Sequence, residues 1–264
     1  MKDYLLVIPA YNEEKAIGGV LEKIIEGGYT DRLDVLVVND CSSDNTAAVV
    51  ANYPEIHLIS HVFNLGYGSA LQTGYRFAVK HDYKYVLQMD ADGQHDVCNI
   101  DILMDALAKP DENGVLPDIV IGSRFEKSSE SFKISLVKKL SISFFRMLIK
   151  LTTKRKILDP TSGLQALDRS AFEYYAGYLN FDNDYPDANM IIQMLMMGYE
   201  IVEVPSVMHL RVTGTSMHSG FIKPLIYMLM MPLNIFAVYM RLRSGSSKKV
   251  EKRRVQTEAE QIAV

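Results

Sequence analysis

Asp90, Asp92 and Asp96 crowd into the stretch MDADGQHD, directly after the apolar run 85–89. Carboxylates this close repel one another and resist leaving water unless a cation neutralises them. Oxygen donors suit Mg²⁺ or Mn²⁺, which keep some water and take substrate phosphates as further ligands. The spacing therefore points to a divalent-metal site holding a phosphorylated ligand at a strand's C-terminal end. Two plainer readings compete. A calcium loop would put Asp90, Asp92 and Gln94 at alternate positions and Asp101 twelfth, but His95 stands where it needs glycine, and the bidentate Glu is absent. A D-x-D after a strand can also be a simple acidic turn, so its meaning depends on its neighbours.

Those neighbours are other strand ends. Residues 4–8 (YLLVI) read as a buried strand stopped by Pro9, and 13–27 carry apolar residues at helical spacing, closed by Gly27-Gly28. Residues 33–38 form a second strand ending in Asn39-Asp40, and Ser42, Ser43 and Asp44 offer N-caps for a helix to Val50. A strand at 56–60, a loop at 64–68, a helix at 69–80 and the strand at 85–89 follow. This alternation predicts an α/β fold with a mostly parallel sheet wrapped by helices. Ligands of such sheets sit beyond the carboxyl ends of the strands. Three of the four ends carry polar clusters, PAYNEE, NDCSSDNT and DADGQHD. A dinucleotide fold would need G-x-G-x-x-G after the first strand, where P-A-Y-N-E-E stands, and no Walker sequence is present. Phosphates must then be met by metal and cationic side chains.

The ordered motifs resemble the inverting family 2 glycosyltransferases of GT-A fold, in particular the dolichyl- or polyprenyl-phosphate sugar transferases. Pro9-Ala10-Tyr11-Asn12-Glu13, Val38-Asn39-Asp40 with Ser42, Asp44 and Thr46, and Asp90-Ala91-Asp92-Gly93-Gln94-His95 carry the likeness. It continues through Gly122-Ser123-Arg124, Asp159-Pro160-Thr161-Ser162-Gly163-Leu164-Gln165 and Glu203-Val204-Pro205, and ends at Arg211 with Gly214-Thr215-Ser216. The resemblance implies a nucleoside-diphosphate sugar donor, with Pro9, Ala10, Tyr11, Glu13 and Asp40 around the nucleoside and Asp40 facing the base. It places Asp90 near ribose and metal, Asp92 as a direct ligand of Mg²⁺ or Mn²⁺, and Gln94 where a third ligand belongs. Arg124 and Arg211 match positions that serve phosphate groups, for which a planar, permanently charged fork is suited. A sugar-hydroxyl acceptor would need a general base. Asp182, Asp184 and Asp187 are the candidates, and Asp187 best matches the family's acidic position. A lipid phosphate is already an anion and needs cations and an apolar approach instead.

Charge distribution favours that second acceptor. The net charge is −4, yet residues 132–158 hold eight Lys/Arg and no acid, and 241–254 hold seven with only Glu251. Residues 133–151 mix apolar and cationic side chains like an interfacial helix, although an ordinary packing helix would look similar. Residues 225–240 are apolar but broken by Pro232 and Asn234, and fall short of the roughly 20 residues that span a bilayer. They suit an in-plane or re-entrant anchor, or a dock for a small membrane protein. No nucleic-acid motif accompanies the basic segments. Cys41 and Cys98 form no metal pair, and the N-terminus lacks a signal peptide's apolar length, so the catalytic part is expected at the cytoplasmic face of a membrane. The organisation expected is a catalytic domain over 1–217, a membrane-associated or partner-docking helix over 218–243 and a polar, disordered tail over 244–264. Processive synthases of the family carry a Trp-containing motif, and this chain has no Trp, which disfavours polymerisation. The rival activity is transfer to a hydroxyl of a lipid-linked saccharide or cell-surface polysaccharide with Asp187 as base. A non-catalytic nucleotide-sugar-binding subunit is the rival of a different class.

Overall fold

A computed structural model describes residues 2–130, 136–210 and 222–243. Strands β1 (Tyr4–Ala10), β2 (Leu33–Asn39), β3 (His57–Ser60) and β4 (Tyr85–Gln88) alternate with helices α1 (Ile17–Glu26), α2 (Thr46–Val50) and α3 (Tyr67–Lys80). Then follow α4 (Asn99–Leu107), β5 (Ile119–Ser123), α5 (Leu136–Thr153), β6 (Gln165–Asp168), α6 (Arg169–Ala176), α7 (Ala188–Met196), β7 (Ile201–Pro205) and α8 (Ile222–Arg243). The strands form one sheet in the order β3-β2-β1-β4-β6-β5-β7. All neighbours are parallel except β6, which runs antiparallel between β4 and β5. Because only β6 is reversed, its start at Gln165 lies at the same sheet edge as the ends of the other six strands. Every motif singled out above, as far as it is described, is delivered to that edge or close beside it.

Period-two alternation explains the two layers. Leu5, Val7, Leu36 and Val38 face α3, α5, α6, α7 and α8, whereas Leu6, Ile8, Val35 and Val37 face α1, α2 and α4. Strands buried on both faces read as continuous apolar runs, as β1 and β2 do. Helix α3 lies tight on β1 because Gly74 has no side chain; an added Cβ would stand 2.3 Å from Val7 Cγ1.

Several expected boundaries move. Pro9 does not stop β1, because it pairs with Val38 while β4 ends opposite Val7. Its missing N–H points to the side where β4 has already finished, so no ladder bond is lost. The first helix begins at Ile17 rather than 13, since residues 14–16 form a turn on the Glu13 carbonyl. Helix α5 is in part the packing helix left as an alternative, for Ile142, Phe145 and Ile149 are buried while Leu140, Met147 and Leu151 face outward. Helix α8 buries Tyr227, Met231 and Ile235 in the same core cluster as α3 and α7. No helix among the described residues is long and apolar enough to cross a membrane. Residues 133–135, Arg211, the Gly214-Thr215-Ser216 motif and the 244–264 segment lie outside the described residues.

Candidate active site

Asp40 follows β2 and is buried, but its carboxylate is not idle. Oδ1 accepts from the Leu65 N–H at 2.9 Å and lies 2.8 Å from His61 Nδ1, and Oδ2 accepts from the Gly66 N–H at 2.9 Å. His61 Nε2 is in turn 2.9 Å from Thr73 Oγ1 on α3. Three protein partners leave Asp40 room for one further donor, on Oδ2. The loop 61–66 is thereby clamped to the end of β2. The next residue reaches the neighbouring cluster, as the Tyr67 hydroxyl donates to Asp90 Oδ1 at 2.9 Å. Asp40 and Asp90 are thus joined through the consecutive residues Leu65, Gly66 and Tyr67.

The post-β1 loop is stitched to the post-β2 loop. Asn12 N–H donates to Ser42 Oγ, Glu13 N–H to Thr46 Oγ1, and Glu14 N–H to Asp44 Oδ2. Pro9 and Ala10 are strand residues, Tyr11 is 49% exposed, and Glu13 is half-buried. The polar residues of PAYNEE and NDCSSDNT therefore tie the two loops together, and Tyr11 stands exposed beside them.

Asp90 has a side chain 33% exposed, and its Oδ2 stands 3.9 Å from His95 Nε2. Asp92 is buried, and its Oδ1 accepts the Gln94 N–H at 2.9 Å. The Gln94 carbonyl accepts the His209 N–H, which ties this turn to the segment after β7. Among the described residues no three His, Cys, Asp or Glu side chains are grouped to hold a metal ion alone. Mg²⁺ and Mn²⁺ need no such cage; one or two carboxylates with substrate phosphates suffice. Asp90, partly exposed, and Asp92, two residues further on, are carboxylates of the kind such an ion takes. His95 Nδ1 is a buried nitrogen without a partner, so a polar demand remains in this turn.

Arg124, directly after β5, is engaged differently from the sequence expectation. Nε and Nη2 each donate to Asp159 at 2.6 Å, and Nη2 also reaches Thr161 Oγ1 at 2.7 Å. Glu203 holds the Asp159 turn by accepting the N–H groups of Leu158 at 2.6 Å and Asp159 at 2.7 Å. The fork expected to serve a phosphate is thus spent on a buried carboxylate. Its positive field still reaches Asp187 and Asp90; burial works against its charge, but Asp159 with those two carboxylates outweighs burial and holds the guanidinium above the usual arginine range. Lys138 of α5 is solvent-exposed at the surface and feels Arg124, Asp159, Asp187 and Asp90. Partial desolvation, then Arg124, pulls its ammonium below the ordinary lysine range.

Asp187 precedes α7. Burial pushes its carboxyl up to about 6, Tyr227 and Arg124 oppose the rise, and Asp182 and Asp90 add to it. The Tyr227 hydroxyl of α8 donates to its Oδ2 at 2.8 Å. Asp182 accepts from Asn189 at 2.6 Å and from Asn234 of α8 at 2.8 Å, so it braces the segment instead of facing a ligand. Gly68 lets α3 meet this segment: its N–H donates to Asn183 O at 2.9 Å, and a Cβ there would stand 2.0 Å from Asp182 O.

The structure therefore gathers Asp90, Asp187, Arg124 and Lys138 in one electrostatic group, links Asp40 to it through 65–67, and leaves Arg211 undescribed. The sequence motifs contain Asp159, His95 and Glu203 without revealing their roles, and nothing in the sequence signals Tyr67, Tyr227 or Asn234. A buried tyrosine hydroxyl needing a partner is the only local clue such residues offer.

Residues 5–176 match the family profile described as glycosyl transferase family 2. The chain is similar to an undecaprenyl-phosphate mannosyltransferase of Micrococcus luteus, 28% identical over 82% of this chain and 87% of the relative. It is also similar to a dolichyl-phosphate beta-glucosyltransferase of Saccharomyces cerevisiae, 27% identical over 80% of this chain and 68% of the relative. A crystal structure of glucosyl-3-phosphoglycerate synthase from Mycobacterium tuberculosis, in complex with Mn²⁺, uridine diphosphate and phosphoglyceric acid, is similar at a TM-score of 0.62. That likeness, at 18% identity, covers 91% of this chain and 78% of the other, and shows the shared GT-A-type fold.

Proposed function

Because the chain belongs to glycosyl transferase family 2, we propose that it moves one sugar from a nucleoside-diphosphate sugar to a polyprenyl phosphate at the cytoplasmic face of a membrane. The observation that carries the reading is the meeting of Asp90, two residues before Asp92, with the positive field of Arg124 and Lys138 at one sheet edge, in a chain similar to undecaprenyl- and dolichyl-phosphate sugar transferases. Asp90 and Asp92 would hold Mg²⁺ or Mn²⁺. When bound, the cation would offset the charge that builds on the nucleoside diphosphate as the sugar–phosphate bond breaks. The crystallised relative with Mn²⁺ and uridine diphosphate supports a divalent cation without choosing between the two. The remaining acceptor position on Asp40 would take a base N–H, held ready by the clamp on loop 61–66. Exposed Lys138, backed by Arg124, would screen the incoming acceptor phosphate from Asp90 and Asp187. Arg211 would add a further cation, as the family resemblance implies.

The alternative acceptor is a sugar hydroxyl, and one observation favours it. Asp187 is half-buried and feels Arg124, and desolvation pushes its carboxyl up to about 6, a value suited to proton abstraction around neutrality. Asp187→Asn separates the two: a hydroxyl acceptor implies loss of turnover by several orders of magnitude, and a phosphate acceptor implies near-wild-type turnover. The direct test incubates the full chain with Mg²⁺ or Mn²⁺, a panel of nucleotide sugars and a short-chain polyprenyl phosphate, and weighs the lipid fraction by mass spectrometry. Addition of one sugar residue to the lipid phosphate supports the reading. Failure with every donor would revive a binding subunit without chemistry. The reading also includes an in-plane contact of α8 with the membrane, a small membrane protein being the other partner considered.

A further inference from the structure

The turn between α6 and α7 displays two large apolar side chains to solvent, Tyr178 at 82% and Leu179 at 71% exposure. Leu179 sits at φ +62°, a left-handed conformation that branched L residues rarely adopt. The turn is nevertheless anchored on every side. Gln72 donates to the carbonyls of Tyr175 at 2.9 Å and Gly177 at 3.0 Å, and Gln193 donates to that of Asn180 at 2.7 Å. Two arginines grip its neck: Arg76 of α3 donates to Ala176 O at 3.1 Å, and Arg241 of α8 to Leu179 O at 3.0 Å. Arg241 joins the turn to the end of α8, whose Leu229, Leu233, Phe236 and Met240 face outward at helical spacing.

We propose that Tyr178 and Leu179 form a preset wedge that enters the interfacial zone of an anionic bilayer beside the outer face of α8, fixing how the site stands over the membrane. The inference rests on the membrane reading above and adds to it an element remote in sequence from α8. Charge decides the occupant. Both guanidiniums that bond the neck are solvent-exposed, Arg243 follows on α8, and α8 contains no acid. Of the acids on this side, Glu173 lines a shallow groove with Arg76 and Lys80, Asp182 is held by Asn189 and Asn234, and Asp184 is exposed five residues past Leu179. An apolar tip with two arginines bonded at its neck matches acyl chains beneath anionic headgroups, because the stems can bury while the heads stay at the phosphate level. A floppy loop would lose much of this contact to ordering. Here the backbone is already fixed. The wedge is also wired to the site, since α8 bonds Asp187 through Tyr227 and Asp182 through Asn234.

The test compares the full chain with a Tyr178→Ser/Leu179→Gly double variant in co-sedimentation with phosphatidylcholine vesicles, with and without phosphatidylglycerol. Glycine accepts the left-handed backbone, so the variant keeps its fold and its unfolding midpoint does not drop on account of strain. The expected result is binding that needs phosphatidylglycerol and weakens about tenfold or more in the variant, in line with losing one Leu and part of one Tyr from an apolar phase. Transfer to a detergent-dispersed acceptor should be equal in both. Affinities within twofold of each other, or no vesicle binding by the wild type, would overturn the wedge. A concentration-dependent dimer that the variant abolishes would overturn it too, by showing a second copy as the occupant. Vesicle binding that follows the expected pattern without sugar transfer would leave the wedge standing and remove the proposed activity.

Discussion

Folding raises the Asp187 carboxyl from the ordinary value of 3.8 to about 6, burial being the largest cause. Between those values the native state holds a proton that the unfolded chain has released. Stability from this group is therefore full below the lower value, declines as pH rises through the window, and is gone above it. Asp187→Asn removes the dependence. Relative to wild type its unfolding midpoint should gain more at pH 8 than at pH 4, and a difference constant with pH would contradict the burial described. The comparison must be differential, because Asp168 is also raised to about 6 by burial and titrates in the same window. Arg124 yields a second expectation at this scale. Its pair with Asp159 is buried and bidentate, and removing one partner of such a pair costs about 3–5 kcal/mol. Arg124→Ala should lose that much in denaturant unfolding; a loss within about 0.5 kcal/mol, the range of ordinary surface substitutions, would show that the fork is not a brace.

Among the elements, α3 touches most parts of the site. Its first turn carries Tyr67, its Gly68 admits the 182–184 segment, and its Gly74 admits β1. Gly74→Ala should destabilise the fold by about 1–3 kcal/mol, an overpacking cost, because Val7 lies where the new methyl must go. An unchanged chemical-denaturation midpoint would refute that packing. The strands β1 to β4 were legible in the sequence because each is an apolar run ended by polar residues. Strand β6 was not, since four residues, QALD, carry no period, and its reversal depends on partners far along the chain. The carboxylates Asp40, Asp90, Asp92 and Asp187 were likewise visible as residue types at strand and helix ends. Their partners were hidden for a physical reason: His61, Tyr67 and Tyr227 meet them, and Asp159 meets Arg124, only after the sheet has ordered the edge, and side-chain bonds across 21 to 40 residues leave no local trace. Arg124 shows the converse. A motif can mark a residue that matters while leaving open whether its charge faces a ligand or another side chain.

At the scale of the whole molecule, one reversed strand lets seven strands deliver their polar ends to a single edge, with core on both faces of the sheet. The residues proposed to meet the donor come from β1, β2 and β4, and the Arg124, Lys138 and Asp187 group comes from the β5, α5 and α7 side. Helix α8 adds Tyr227 from beyond the matched segment 5–176. It is thus tied to the candidate site, and its loss should free the Asp187 carboxyl from Tyr227. The central claim is that this edge grips a nucleoside diphosphate sugar through a divalent cation held by Asp90 and Asp92. Calorimetric titration of nucleotide sugars into the full chain, with Mn²⁺ or Mg²⁺ and with a chelator, addresses it most directly, using Asp92→Ala as the companion. The account predicts binding of at least one donor that requires the cation and disappears in Asp92→Ala with the fold intact. Tight, cation-dependent binding that survives in Asp92→Ala would contradict it.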